Sequence, residues 1–259
     1  MNREAEVVIK RRVAGRPKLL IPKIESFSYC PGCHELLAAR VIAEVLEELQ
    51  VEGKTIGVFG VGCSSFLILM LDIEAIIGPH GRPPDIATGI KRVYPDNLVF
   101  TVQGDGDLIS IGGESLLGAL TRAEKITIIM LNNAVYGTTG GQMAPTTLVG
   151  QVTTTTPKGR EVTSAGFPVH AAEMIATFKG VAYSARGALT TPSNYQHTKR
   201  HIKTAFQKQL DNIGLSYVEI LSACPSNWHL SPVNSLKWIE EKMISEFPLG
   251  EFKNVDRIE

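Results

Sequence analysis

The chain has 259 residues, 44% of them hydrophobic and 20% charged, with Lys+Arg and Asp+Glu equal at 26 each. That is length enough for one large α/β domain with a sizeable core. The even charge balance leaves no basic field for nucleic acid and no polybasic patch for an anionic membrane, and the longest apolar stretches, such as 126–131, are strand-sized and too short to span a bilayer.

Residues 1–28 are expected as an N-terminal arm. They carry scattered charges (Arg3, Glu4, Glu6, Lys10, Arg11, Arg12), Gly15, Pro17 and Pro22, with no sustained periodicity. Such a stretch is either a frayed tail or a segment that wraps a neighbouring subunit. It lacks the apolar core of a secretory leader, so the expected location is the cytoplasm. In that reducing compartment the four cysteines, Cys30, Cys33, Cys63 and Cys224, are better read as metal ligands or reactive thiols than as disulfides.

From residue 34 strands and helices alternate. Residues 34–50 predict a helix, with Leu37, Val41, Val45, Leu46 and Leu49 as its apolar stripe. A β-rich run at 54–62 ends in glycines, and 85–92 predicts a short helix. The buried strand expected at 97–103 runs into Gly104-Asp105-Gly106-Asp107. A helix over 113–123 precedes a strand at 125–131 that stops at Asn132-Asn133. The Thr-rich stretch 143–159 is either a loop over the site or an interface segment, the second reading being preferred. Helices over 170–179 and 193–210 flank a strand near 181–189, and a last strand at 215–221 leads to Cys224. This order predicts an α/β fold, a mostly parallel sheet with helices on both faces. The globular domain is expected over 29–228, with 229–259 as a C-terminal tail or helix. Four strands end in Gly, Asp, Asn or Cys, and ligands of open α/β sheets bind beyond the carboxyl strand ends.

The run from Gly104 to Val135 points to a diphosphate with a divalent ion. Glycines allow backbone N–H groups to approach phosphate oxygens, and a following helix N-terminus adds its dipole. Mg²⁺ takes oxygen ligands in octahedral array, and Asp105 and Asn133 stand at the ends of successive strands. A G-D-G alone is an ordinary turn. Its pairing with a following strand and Asn-Asn is more specific and resembles the thiamine-diphosphate motif. That resemblance implies that Asp105, Asn133 and the Val135 carbonyl ligate Mg²⁺. The C-x-x-C of Cys30 and Cys33 with Cys63 and Cys224 makes a candidate tetrad, which spacing alone leaves open between zinc and iron–sulfur.

Taken with Tyr29-Cys-Pro-Gly-Cys33, Gly60-Val-Gly-Cys-Ser-Ser65, His80-Gly-Arg82, Ala87-Thr-Gly-Ile-Lys91 and 133–142, the chain resembles the β subunit of 2-oxoacid:ferredoxin oxidoreductases over about residues 29–225. The resemblance implies a thiamine-diphosphate-binding fold and one [4Fe–4S] cluster on Cys30, Cys33, Cys63 and Cys224. It implies that Gly104, Gly106 and Asp107 face the diphosphate, that Cys63, Ser64, Gly137, Thr138 and Thr139 flank the cofactor, and that His80, Arg82 and Thr138 act in catalysis. It also implies coenzyme A as co-substrate, ferredoxin as electron acceptor, and partner subunits: an α subunit that supplies the aminopyrimidine-side glutamate, with γ or δ subunits beside it. Glu35 and Glu114 are expected as helix-start acids. His34 stands where the family often has glycine. Phe66 stands where relatives that use dicarboxylates carry a basic residue, so the resemblance leans towards branched-chain 2-oxoacids of the 2-oxoisovalerate type. Two other readings use the same residues: a non-oxidative thiamine-diphosphate decarboxylase or lyase subunit, which leaves the cysteines unexplained, and a zinc-stabilised scaffold, which leaves the Asp105/Asn133 pair unexplained.

Overall fold

A computed structural model describes residues 15–21 and 29–258. Seven strands form one sheet: β1 (Thr55–Phe59), β2 (Glu74–Ile77), β3 (Leu98–Gly104), β4 (Thr127–Asn132), β5 (Val181–Ala188), β6 (Leu215–Leu221) and β7 (Gly250–Asn254). Their spatial order is β2-β1-β3-β4-β6-β5-β7. All neighbours are parallel except β7, which runs antiparallel to β5. Strands β4, β5 and β6 are buried along their whole length, and β3 along all but its last residue, as expected of strands covered on both faces.

The helices divide between those faces. On one side α1 (Glu35–Leu49) and α6 (Pro192–Leu210) cover a core that includes Phe59, Phe100 and Phe206. On the other, α2 (Pro83–Val93), α3 (Gly113–Thr121) and α5 (Ala171–Ala176) cover Val99, Ile128, Met130 and Tyr217. The single-turn α4 (Val162–Ala165) belongs to the Thr-rich connection. The buried face of α1 includes Ala38, Val41, Ile42, Val45 and Leu46, which is the expected stripe shifted away from Leu37, itself 37% exposed. Helix α6 starts where Thr191 caps it, its hydroxyl accepting from Asn194 N at 3.1 Å, with Pro192 at the first helical position.

Two regions differ from the sequence expectation. Residues 229–259, expected as a tail, return to the sheet. Helices α7 (Pro225–Trp228) and α8 (Pro232–Trp238) lead through a wide turn over 239–243 and the short α9 (Ile244–Glu246) into β7, and Ile239, Met243 and Phe247 are fully buried. The domain boundary expected at 228 therefore falls inside the packed unit. Of the expected arm, residues 15–21 are described, and Leu19 and Leu20 pack into the α1 core. There Leu19 N donates to Glu47 Oε1 at 2.9 Å; the rest of 1–28 lies outside the described residues.

The chain runs outward from β1 to β2 and then crosses back over β1 to β3, so the winding reverses beside β1, where open sheets form a crevice at the carboxyl strand ends. Gly60–Cys63, Gly104–Asp107, Asn132–Val135 and Cys224 follow those ends.

Candidate active site

A pocket of about 130 Å³ lies in this crevice, lined by 61–64, 104–107, 133 and 135–139 together with Glu35 and His80. It thus gathers Cys63, Ser64, His80, Gly104, Asp105, Gly106, Asp107, Asn133, Val135, Gly137, Thr138 and Thr139. Arg82 does not join them. Its guanidinium bonds Ser115 Oγ at 3.0 Å and pairs with Glu114 and Asp85 on the neighbouring helices, so it braces α2 against α3 outside the pocket. Glu114 is the exposed helix-start acid that the sequence suggests.

Glu35 differs. It opens α1 as expected, yet it is 3% exposed, lines the pocket, and its Oε2 is buried without a hydrogen-bond partner. Burial, and then the neighbouring Asp105, push its pKa up to about 8. Asp105 is likewise buried, and burial pushes it up to about 7 against the opposing bonds from Thr146 and the backbone. Two buried carboxyls thus share one pocket. Ser64 Oγ, 2% exposed overall, is a second buried oxygen there without a partner. Only the fold reveals Glu35 as a pocket residue, because a first-turn acid looks the same in sequence whether it faces water or a site.

Asp107 lines the pocket as expected, and its carboxylate takes a further part. One of its carboxylate oxygens pairs with His80 Nδ1 and accepts from Gly81 N at 2.7 Å. The other accepts from Gln103 Nε2 at 2.8 Å. A carboxylate engaged this way orients His80, and of Asp107 only the backbone N–H could face a diphosphate; no residue signal short of the fold links positions 80 and 107.

The Asn132–Val135 turn is tightly held. Asn132 Oδ1 accepts from Ala134 N at 3.0 Å, and Asn133 Oδ1 accepts from Val135 N at 3.2 Å. Ala134 has φ +57°, a conformation disfavoured for a residue with Cβ, and its carbonyl accepts from Thr147 Oγ1 at 2.6 Å and Gln151 Nε2 at 3.3 Å. Trp228 Nε1 donates to Asn133 O at 3.1 Å. The Thr-rich connection therefore folds over the site: Thr146 donates to the Asp105 carboxylate. Its clasp is Arg160, only 4% exposed, which donates to the carbonyls of Pro145, Thr147, Ala165, Gly166 and Phe167. Residues 143–159 are thus tied to Asp105 from within the chain, while Val149 and Val152 stay exposed.

Two of the four cysteines, Cys63 and Cys224, meet on the same rim. Cys63 Sγ lies 3.0 Å from Thr138 Oγ1, and Asn227 Nδ2 donates to Cys224 Sγ at 3.2 Å. A side-chain carbon placed on Gly137 would stand 3.3 Å from Cys63 Sγ, 3.4 Å from Asn133 Nδ2 and 3.7 Å from Cys224 Sγ. The two thiols and the amide expected to bind metal therefore surround one glycine, where no larger residue fits without crowding. Burial pushes the Cys63 thiol up to about 11 and raises Cys33 and Cys224 as well. Among the described residues, no three His, Cys, Asp or Glu side chains are grouped to hold a single metal ion. Phe66, three residues past Cys63, does not line the pocket.

Residues 60–220 match the family model of the thiamine pyrophosphate enzyme C-terminal TPP-binding domain, thiamine pyrophosphate being another name for the diphosphate. The chain is 38% identical to ketoisovalerate oxidoreductase subunit VorA of Methanothermobacter thermautotrophicus, over 87% of this chain and 47% of that one. It is 33% identical to 2-oxoglutarate synthase subunit KorB of Archaeoglobus fulgidus, over 82% of this chain and 75% of that one. It thus spans about half the length of the ketoisovalerate oxidoreductase subunits it matches. The fold is that of a 2-oxoglutarate:ferredoxin oxidoreductase from Magnetococcus marinus, solved with 2-oxoglutarate, coenzyme A and succinyl-CoA bound. That match has a TM-score of 0.79 and 23% identity over 95% of this chain and 87% of that one.

Proposed function

This chain belongs to the family of thiamine-diphosphate-binding subunits of 2-oxoacid oxidoreductases, and from that premise we propose that it carries both the cofactor's diphosphate end and the electron-accepting centre of such an enzyme. The observation that carries this reading is the meeting at Gly137, where Cys63, Cys224 and Asn133 face one another across a single residue.

The residues fit the groups the reading requires. Asp105, Asn133 and the Val135 carbonyl offer a carboxylate, an amide oxygen and a backbone oxygen, the hard donors that Mg²⁺ takes. A divalent ion there would also offset the two buried carboxyls of Asp105 and Glu35. Gly104 and Gly106 offer backbone N–H groups to a diphosphate, and the side chain that Gly106 lacks would overlap the Tyr136 ring. Ser64, Thr138 and Thr139 add hydroxyls. The four thiols suit a [4Fe–4S] cluster, which spreads its ligands over four irons instead of gathering them on one ion.

Thiamine diphosphate bound here would supply the carbanion chemistry that decarboxylates a 2-oxoacid, and Cys30, Cys33, Cys63 and Cys224 would hold a cluster that supplies one-electron chemistry towards ferredoxin. The products are CO₂ and the acyl thioester of coenzyme A. This chain's own residues set the stage. Thr146 holds the Asp105 carboxylate, and Asp107 fixes His80 by its Nδ1. The other imidazole nitrogen is left to hold or deliver a proton in the pocket.

A pocket of about 130 Å³ is smaller than the roughly 300–1,000 Å³ of a complete small-molecule site, which supports a second half supplied by an α subunit. Further γ or δ subunits and ferredoxin complete the partners. The likeness to ketoisovalerate oxidoreductase subunits favours a branched-chain 2-oxoacid. Among the described residues no helix is long and apolar enough to cross a membrane; the location that goes with this reading is the cytoplasm. The test is 2-oxoacid- and coenzyme-A-dependent reduction of ferredoxin by the chain assembled with its partners without oxygen. Faster turnover of 2-oxoisovalerate than of 2-oxoglutarate is expected. CO₂ release with no acceptor reduced would replace this reading with a non-oxidative decarboxylase.

A further inference from the structure

Behind the site, and taking no direct part in it, lies a charged network on strands β6 and β5. Arg186 on β5 and Glu219 on β6 are cross-strand partners, and both side chains are 0% exposed. Arg186 Nε donates to Glu219 Oε2 at 2.9 Å. Its remaining nitrogens reach the Glu173 carboxylate and, at 3.0 Å, the Pro248 carbonyl. A buried ion pair is weak evidence for stability, since desolvation of both charges offsets their attraction. Apolar side chains would serve a sheet core as well, so this pair calls for another explanation.

Its free end supplies one. Glu219 Oε1 accepts from Asn132 Nδ2 at 2.7 Å. Glu219 stands opposite Met130 on β4, and Asn132 is two residues further along the same face, a diagonal neighbour. An Asn side chain can present either its oxygen or its NH₂. With its NH₂ held by Glu219, Asn132 turns its oxygen to Ala134 N. That bond secures the left-handed Ala134, on either side of which stand Asn133 and Val135.

We propose that Glu219, itself anchored by Arg186, is a positioning residue for cofactor binding: it fixes the amide sense of Asn132 and thereby the turn that presents Asn133 and Val135 to the metal and diphosphate. This rests on the thiamine-diphosphate reading of the pocket. The donor pattern predicts which substitutions fail and which repair each other. In Glu219→Gln, the charged Arg186 takes the amide oxygen, so the new NH₂ faces the Asn132 NH₂, and Asn132 must flip away from Ala134. In Asn132→Asp, two carboxylates face each other. In the double variant, E219Q with N132D, the new NH₂ donates to one oxygen of the carboxylate introduced on β4. The second oxygen of that carboxylate still accepts from Ala134 N. The interstrand bond and the bond to Ala134 N are then both restored, and the network keeps its net charge.

The experiment is calorimetric titration of the full chain, with its partner subunits, with thiamine diphosphate and Mg²⁺, well below the unfolding midpoint of each variant. E219Q and N132D should each weaken binding about tenfold or more, the scale of one broken buried hydrogen bond, and the double variant should return to within about threefold of the parent, since interacting sites are non-additive. If the single variants lower the unfolding midpoint yet bind as the parent does, the network is structural only and the proposal falls. If both weaken binding and the double variant is weaker still, the donor logic fails and the proposal falls with it. If the parent itself binds no thiamine diphosphate, the reading of the pocket fails first.

Discussion

Between α1 and α6, charges are answered within the chain: Lys199 lies 2.7 Å from Glu44 and 2.9 Å from Glu48, and Lys203 lies 3.1 Å from Glu48. Beneath them Phe100 packs between Phe59 and Phe206, with ring centroids 6.3 and 5.5 Å away. At the carboxyl ends of the same strands the pattern reverses. Glu35 Oε2 and Ser64 Oγ are buried without partners, two carboxyls crowd one pocket, Ala134 is left-handed, and Gly106 leaves no room for a methyl group. The contrast separates what holds the sheet together from what is built to meet a ligand. Past the first turn of α1, the α1–α6 layer pairs its charges, with the Tyr195 hydroxyl as a buried exception, whereas the rim keeps oxygens, thiols and close backbone approaches suited to a cation, a cluster and a diphosphate.

That contrast can be broken in measurable ways. The largest effect is expected for Cys63→Ser or Cys224→Ser in the assembled enzyme. Acceptor reduction should fall by more than about 100-fold and iron content should drop, because a cluster needs its thiolate ligands. Retained activity would detach the cysteines from electron transfer. Next, Phe100→Ala should cost roughly 3–5 kcal/mol of stability in a denaturant titration while thiamine diphosphate affinity in the folded protein stays the same. A matching loss of affinity would erase the distinction between core and rim.

Gly106→Ala should reach cofactor affinity as well. Its methyl group would meet the Tyr136 ring, at about 1–3 kcal/mol of overpacking, and cofactor affinity should fall with it. Adding Tyr136→Ala should recover part of that affinity; if it recovers none, the steric account is mistaken. Lys199→Ala should cost less than about 1 kcal/mol, since its ion pairs are partly exposed, and leave the affinity unchanged. The smallest effect concerns His201, whose Nδ1 is 2.7 Å from the Tyr183 hydroxyl and whose pKa burial holds below the ordinary value. Below about pH 6.5 the unfolded chain takes up a proton that folded His201 resists, so this residue's share of stability is lost as pH falls through that window. His201→Gln should therefore lose slightly less stability than the parent between pH 7 and pH 5; an equal loss would remove His201 from the acid response.

Much of the rim is legible in the amino-acid sequence. Strands β1, β3, β4 and β6 are apolar runs, and each hands over to residues with chemistry of their own, so four loops can be assigned to one edge. What stays hidden depends on tertiary contact. The four-residue β2 has Ile76 and Ile77 about half exposed and carries too short a pattern to read. Strand β7 exists only because β5 offers it an edge. The burial of Glu35, the link from Asp107 to His80 and the hold of Arg160 on the Thr-rich loop each depend on how the chain packs rather than on local pattern. Arg82 shows the converse: beside His80 in sequence, it turns to α3 because Glu114 and Ser115 stand there.

The central claim is that one rim holds both a thiamine-diphosphate site and an iron–sulfur cluster, and metal analysis tests it most directly. Chain purified with its partners in the absence of oxygen, with separate Cys30→Ser and Cys224→Ser preparations to assign the iron to this subunit, would be assayed for iron and zinc and examined by visible absorption. The account predicts about four irons attributable to this chain, with broad thiolate-to-iron absorption that bleaches on reduction and disappears in part from both variants. One zinc in place of that iron, and no absorption that depends on Cys30 or Cys224, would contradict it and leave only the thiamine-diphosphate fold.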